Sequence, residues 1–266
     1  MIRLIASDID GTLLQNGSRE LNPELFSLID RLSEKGILFC AASGRQYPNL
    51  QRLFEPVKDR IAFITENGAL VMNGEQEVSV CAMPREQSLA LIEDIQNQPG
   101  CEVQVSGKQQ VYISPRNPAY VDHIRNFVKN HTVLCEDFSA IEEPFLKVSV
   151  MMMDGVDEES LQYFSRKWGD KFNVALSGSC WVDFTLANKA QGLADLCVNL
   201  GIPLAETAAF GDNYNDIEML RMAKYAWAMS KADDTIKNAA GRTCAKVEPV
   251  LQSILEALDA LEASKQ

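Results

Sequence analysis

Four short segments of this chain carry residue types that could do chemistry together. Asp8-Ile9-Asp10-Gly11-Thr12 holds two carboxylates two residues apart, directly after a β-rich run at residues 3–7. On an extended segment such residues point the same way, so both carboxylates could address one site at the strand's carboxyl end, where open α/β sheets place ligands. The same Asp-Gly step is also a common turn signal. Ala41-Ala42-Ser43-Gly44-Arg45 follows a second β-rich run. A serine hydroxyl beside a glycine offers a side-chain donor and close backbone N–H groups to phosphate oxygens, and a following helix N-terminus adds a favourable dipole. It also describes an ordinary serine cap. Lys189 stands where a helical pattern resumes, and a lone lysine there is most often solvated. Phe210-Gly211-Asp212-Asn213-Tyr214-Asn215-Asp216 supplies two carboxylates and two amides, hard oxygen ligands suited to magnesium. An acidic, capped helix start has the same composition. A calcium loop of the EF-hand type is excluded, because Tyr214, Ile217 and Ala223 occupy the positions that need a ligand, a glycine and a glutamate. Together the four segments offer a nucleophile, a phosphate clamp, a cation and a metal site.

Those segments need a scaffold, and the hydrophobic patterning describes one. Short β-rich runs alternate with amphipathic stretches, as in βαβ units around a parallel sheet. Residues 3–7, 37–41 and 62–65 read as strands. Leu21, Leu25, Leu28, Ile29 and Leu32 recur at helical spacing before a Gly36 stop. Asn-Gly at 67–68 and 73–74 predicts two hairpin turns. From Pro84 to Phe184 the rhythm changes: strand pairs are expected near 102–114 and 172–185, with helix-like stretches and a strand at 147–153 between them. After that come a helix from about 190, strands at 207–210 and 225–229 with a helix between, and a final helix. Its apolar face is Val247, Val250, Leu251, Ile254, Leu255, Leu258 and Leu261. The expected organisation is a Rossmann-like α/β core with a mainly parallel central sheet (1–83 and 185–266), interrupted by an inserted mixed α/β domain (84–184).

Composition narrows the partners. The chain has 266 residues, 46% of them hydrophobic, and a formal charge of −12. That balance argues against neutralising nucleic-acid phosphates or anionic lipid, so any phosphate must be held by a local arrangement. Asp8 interrupts the N-terminus before a signal-peptide apolar region could form, and no apolar run approaches membrane-spanning length. A cytoplasmic, soluble protein is expected. Seven cysteines without a C-x-x-C pair read as reduced, packed thiols. With only His123 and His131, a histidine-based metal cluster or hydrolytic triad is hard to assemble. Tyr112, Trp181 and Tyr214 read as packing residues.

The order D-x-D-G-T, S-G-R, Lys, G-D-N-x-N-D resembles the haloacid dehalogenase superfamily, and within it the Cof-type phosphatases with a large α/β cap. Thr65-Glu66-Asn67-Gly68-Ala69 resembles a Cof-type segment too. The resemblance implies a Mg2+-dependent phosphatase of small phosphorylated metabolites, such as sugar phosphates, acting through an aspartyl-phosphate. It gives Asp8 as nucleophile and Asp10 as general acid and base. It gives Asp8, the backbone carbonyl of Asp10 and Asp212 as magnesium ligands with Asp216 near or behind them, and Ser43, Gly44, Lys189 and Asn215 as phosphoryl-binding residues. Because all of these lie outside 84–184, the inserted segment is expected to close over the site and select substrate without supplying chemistry. A phosphosugar mutase and a non-catalytic metabolite sensor on the same fold remain alternatives. A phosphorelay receiver does not fit, because Thr65-Glu66-Asn67 stands where it needs its acceptor aspartate.

Overall fold

A computed structural model describes residues 1–128 and 130–264. Its strands are β1 (Leu4–Ser7), β2 (Leu38–Ala42), β3 (Ala62–Thr65), β4 (Leu70–Asn73), β5 (Gln76–Val80), β6 (Cys101–Ser106), β7 (Val111–Ile113), β8 (Thr132–Leu134), β9 (Lys147–Met152), β10 (Asn173–Ser177), β11 (Trp181–Thr185), β12 (Thr207–Gly211), β13 (Tyr225–Met229) and β14 (Thr243–Cys244). The helices are α1 (Pro23–Glu34), α2 (Tyr47–Leu53), α3 (Arg85–Gln96), α4 (Pro118–Asp122), α5 (Glu158–Trp168), α6 (Lys189–Leu200), α7 (Ile217–Met222), α8 (Asp234–Ala240) and α9 (Glu248–Ala263). Among the described residues, no helix is long and apolar enough to cross a membrane.

The first sheet runs β14-β13-β12-β1-β2-β3-β4-β5. From β14 to β3 every pairing is parallel, and β4 and β5 add an antiparallel edge through the two expected Asn-Gly hairpins. A parallel sheet needs cover on both faces, and its central strands are accordingly buried without alternation, with small Ala6, Ala41, Ala42, Ala208 and Ala209 among them. One face packs on Leu25, Leu28 and Leu32 of α1 with Leu251 and Leu255 of α9. The other packs on Leu193 and Leu196 of α6, Met219 and Leu220 of α7 and Ile236 of α8. This is the doubly covered, Rossmann-like α/β arrangement the alternation implied.

The second sheet, β10-β11-β9-β6-β7-β8, takes all its strands from residues 101–185 and is antiparallel apart from β7 with β8. It has its own core of Val103, Val105, Val148, Val150, Phe164, Trp168, Val182 and Phe184. In this segment two short elements escaped the sequence pattern, as α8 and β14 did in the first sheet's half of the chain. Strand β8 is mostly exposed, and the π-helical turn His123–Val128 has a period that amphipathic templates do not test. All seven cysteines are unpaired. Leu261, expected on the apolar face of α9, is 55% exposed in the last turn of that helix.

Gly192 on α6 faces the sheet, and an added Cβ would stand 2.7 Å from Ile64 Cγ2. Alanine would gain about 1 kcal/mol of helix propensity, but overpacking a filled core costs about 1–3 kcal/mol. Gly192→Ala is therefore expected to lower the urea midpoint of unfolding; an unchanged or raised midpoint would show that this contact yields freely.

Candidate active site

Parallel register brings the distant motifs together. Strand β1 lies between β12 and β2, with Ser7 opposite Phe210 on one side and Ala41 on the other. The residues that follow these three strands, Asp8, Ser43 and Asp212, therefore emerge at one carboxyl edge, where the chain order reverses about β1. The Asp8 amide extends the ladder by donating to Phe210 O at 3.0 Å, and the Ser43 amide donates to Ile64 O at 2.8 Å.

Lys189 enters this edge from the first turn of α6. Its ammonium is fully buried, 2.5 Å from Asp8 Oδ1 and 2.7 Å from Asp216 Oδ1. The hairpin before β4 makes room for it. Gly68 has φ +100°, and a Cβ there would stand 2.2 Å from the carbonyl of Asn188, the N-cap of α6. Asp216 is itself fixed, because its other oxygen accepts from the amides of Asp212 at 2.9 Å and Asn213 at 3.0 Å. Thr12 Oγ1 donates to Asp212 Oδ1 at 2.8 Å. Gly11, at φ +92°, leaves the space for this approach; a Cβ would fall 2.0 Å from Asp212 Oδ2.

Asp8, Asp212 and Asp216 each offer a carboxylate oxygen within 4.8 Å of the others. One ammonium against three carboxylates leaves two negative charges uncompensated, the charge that one divalent cation carries. Burial pushes the Asp8 carboxyl well above its ordinary range; Lys189 pulls it back, while Asp216 and Asp212 push it further. Asp212 is raised as well, first by burial, against the hydrogen bond that Thr12 donates to it. Burial alone would lower the Lys189 pKa, but Asp216 and Asp8 outweigh it and raise it, so the ammonium stays charged. An all-oxygen, aspartate-rich set suits a hard cation such as magnesium.

Asp10 is placed differently from the expectation. Strand β1 stops at Ser7, and the chain then folds back, with the amides of Leu13 and Leu14 both donating to Ile9 O. The alternation of an extended strand does not reach Asp10. Its carboxylate is 56% exposed and takes a two-point contact from Arg45, Nε at 2.8 Å and Nη2 at 2.5 Å. Asp10 thus rests against Arg45 from the turn after β1, and not from the strand itself.

Ser43 is buried and its hydroxyl oxygen accepts from the Arg45 amide at 3.2 Å. Asn215 donates to Asn67 Oδ1 at 3.0 Å. Three further residues at this loop were absent from the sequence-derived set. Glu66 and Asn67 adopt left-handed backbone, at φ 48° and 56°, and their amides donate to Arg45 O and Ser43 O. The segment was visible only as a hairpin signal and a Cof-type resemblance. Lys147, at the start of β9 in the second sheet, donates to Gly44 O at 2.9 Å and pairs with Glu66 at 2.7 Å. A single lysine opening a strand gives no local signal of such a contact.

A family model described as haloacid dehalogenase-like hydrolase matches residues 5–258. The chain belongs to this family. Among its relatives is the 5-amino-6-(5-phospho-D-ribitylamino)uracil phosphatase YbjI of Escherichia coli (strain K12), 27% identical over 241 residues and matched across 90% of this chain and 89% of the relative. YitU of Bacillus subtilis (strain 168), a phosphatase of the same name, is 26% identical over 262 residues, covering 92% and 93% of the two chains. A crystal structure from Eubacterium rectale superposes with a TM-score of 0.84 at 30% identity, covering 95% of this chain and 99% of that one. This haloacid dehalogenase-like protein is a phosphatase, a hydrolase of phosphoric monoesters.

Removing the Lys189 ammonium would leave Asp8 and Asp216 facing each other without a cation. Breaking one side of a buried pair costs about 3–5 kcal/mol, so Lys189→Met is expected to lower the unfolding free energy by that order in chelator-treated protein. A loss below about 1 kcal/mol in denaturant titration would mean that water already screens the cluster.

Proposed function

We propose that this phosphatase hydrolyses small phosphomonoesters of sugars or polyols in the cytoplasm, with Mg2+, through an aspartyl-phosphate on Asp8. The observation that carries the reading is the cluster of buried Asp8, Lys189 and Asp216 with half-buried Asp212 at the carboxyl edge, beside the Ser43-Gly44 loop. The phosphorylated ribityl chain in the names of two relatives supports the polyol class. Asp8, Asp212 and the backbone carbonyl of Asp10 would hold the magnesium ion, with Asp216 next to them. When bound, it would supply positive charge against the phosphoryl oxygens and against the crowded carboxylates.

On this reading an Asp8 carboxylate oxygen attacks phosphorus. The new P–O bond forms an aspartyl-phosphate while the ester P–O bond breaks, and protonated Asp10 gives its proton to the departing oxygen. Asp10, now ionised, takes a proton from a water whose oxygen attacks the same phosphorus, which releases inorganic phosphate and restores the Asp8 carboxylate. Asp10 must leave Arg45 to do this; its exposure gives it that freedom. Ser43, Gly44, Lys189 and Asn215 would hold the transferred group in line, the main requirement of phosphoryl transfer. The segment 84–184 would close over the edge, exclude competing water and choose the substrate.

Asp8→Asn is expected to abolish phosphate release by a folded protein, since an amide cannot form the intermediate; wild-type-like release would refute the mechanism. For Asp10→Asn, the rate with a poor alkyl leaving group should fall by about 10²–10⁴-fold, and less with p-nitrophenyl phosphate, whose leaving group needs little protonation. Equal losses on both substrates would remove Asp10 from the acid role. Magnesium should raise the melting temperature of the wild type and restore activity after chelation, with both effects weakened in Asp212→Ala. Full activity in excess chelator would contradict the metal assignment.

A further inference from the structure

Lys147 belongs to the second sheet, yet its side chain reaches past Asp183 of that sheet to Glu66 and Gly44 on loops of the first. The ammonium is buried, 2.7 Å from Glu66 Oε2, 3.6 Å from Asp183 Oδ2 and 2.9 Å from the Gly44 carbonyl oxygen. Asp183, on β11, is held in turn by Ser149 Oγ at 2.6 Å. Burial would strip the charge from this lysine, but Asp183 and Glu66 outweigh it and keep the ammonium protonated. A buried ammonium between two carboxylates could serve only to join the two sheets. The third contact gives it a further role.

The Gly44 carbonyl and the Arg45 N–H are two ends of one planar peptide unit. Lys147 holds the carbonyl end, and the N–H end donates to Ser43 Oγ at 3.2 Å. That amide occupies the acceptor side of the Ser43 hydroxyl, which leaves the hydroxyl proton free to donate outward. A charge-assisted bond to a carbonyl also polarises the N–H of the same unit and strengthens what it donates. The loop is braced from behind as well, since Glu66 N donates to Arg45 O at 3.1 Å and Asn67 N to Ser43 O at 3.0 Å. Glu66 is thus partner both to the loop and to the lysine.

We propose that Lys147 is a positioning residue for phosphoryl binding, acting from the second sheet through the Gly44–Arg45 peptide on the Ser43 hydroxyl. The inference rests on the reading of Ser43 and Gly44 as phosphoryl-binding residues. It also changes the place of the segment 84–184, which then completes the phosphate loop in addition to selecting what reaches it.

The full-length protein tests this with p-nitrophenyl phosphate as substrate and inorganic phosphate as competitive inhibitor. Lys147→Met is expected to raise both KM and the inhibition constant for phosphate by about tenfold, the scale of one misplaced charge-assisted contact. A role confined to stability would instead lower the melting temperature and the apparent kcat while leaving both constants unchanged. Because Lys147→Met strands Glu66, the double variant Lys147→Met/Glu66→Gln is measured beside it. Recovered melting temperature with both constants still raised supports the positioning role. Recovery of the phosphate constant in the double variant, or constants within twofold of wild type in folded Lys147→Met, overturns it. Ser43→Ala separates the two levels. If it shifts both constants and Lys147→Met shifts neither, only Lys147 has been misassigned; if Ser43→Ala shifts neither, the phosphate-loop reading falls and the inference with it.

Discussion

The crowding of carboxylates at one sheet edge is the constraint on which the rest of this structure depends. Asp8, Asp212 and Asp216 are held closer together than burial and like charge favour, and Lys189 compensates only part of the repulsion. Many features of the surrounding chain can be traced to keeping them there. Thr12 and the amides of Asp212 and Asn213 satisfy oxygens that would otherwise be buried without partners. Gly11 and Gly68 withdraw side chains from the approaches of Asp212 and of the α6 start. A sheet that placed β12 and β1 one register apart would dissolve the cluster, so the parallel pairing is itself part of the chemistry.

That pairing also explains which parts of the site were legible from the sequence. A residue that immediately follows a buried strand in a parallel sheet has its location fixed by the strand, and Asp8, Ser43 and Asp212 could be placed at one edge from hydrophobic runs alone. Lys189 gained meaning only through its neighbours, because nothing in a lone lysine at a helix start distinguishes a buried cation from a solvated one. Asp10 shows the limit of periodicity. Its orientation depends on where β1 stops, a boundary set by the turn at Ile9–Leu14 that a count of alternating residues cannot see. Glu66, Asn67 and Lys147 were out of reach because their roles rest on left-handed backbone and on a contact between residues 103 apart in sequence.

The chain carries a formal charge of −12, yet it is a phosphatase and so must receive an anion. On the proposed reading the answer is local: Asp8, Asp212 and Asp216 outnumber Lys189 and would hold a divalent cation, and that cation together with the ammonium would meet the anion. Exposed acidic residues lie in water, where they are screened within about 10 Å at ordinary ionic strength. Lys189 lies where screening is weakest and a single charge counts for most. Net charge therefore says what the surface repels, and burial says what the site can hold.

Lys147 and Lys189 are the two lysines buried in the described structure, and the comparison between them separates two ways of using a cation. Both sit between two carboxylates and both are kept charged by them. Around Lys189 the partners Asp8 and Asp216 belong to an acidic cluster that one ammonium cannot neutralise, so the site retains an appetite for positive charge. Around Lys147 two carboxylates face one ammonium, but the remaining contact goes to a neutral carbonyl whose peptide leads to Ser43. The first arrangement stores charge and the second fixes geometry. Phosphoryl transfer needs both; on the proposed reading Lys189 supplies the first from α6 and Lys147 the second from β9, and the orientation of the second sheet against the first would then be part of the active site and not merely its enclosure.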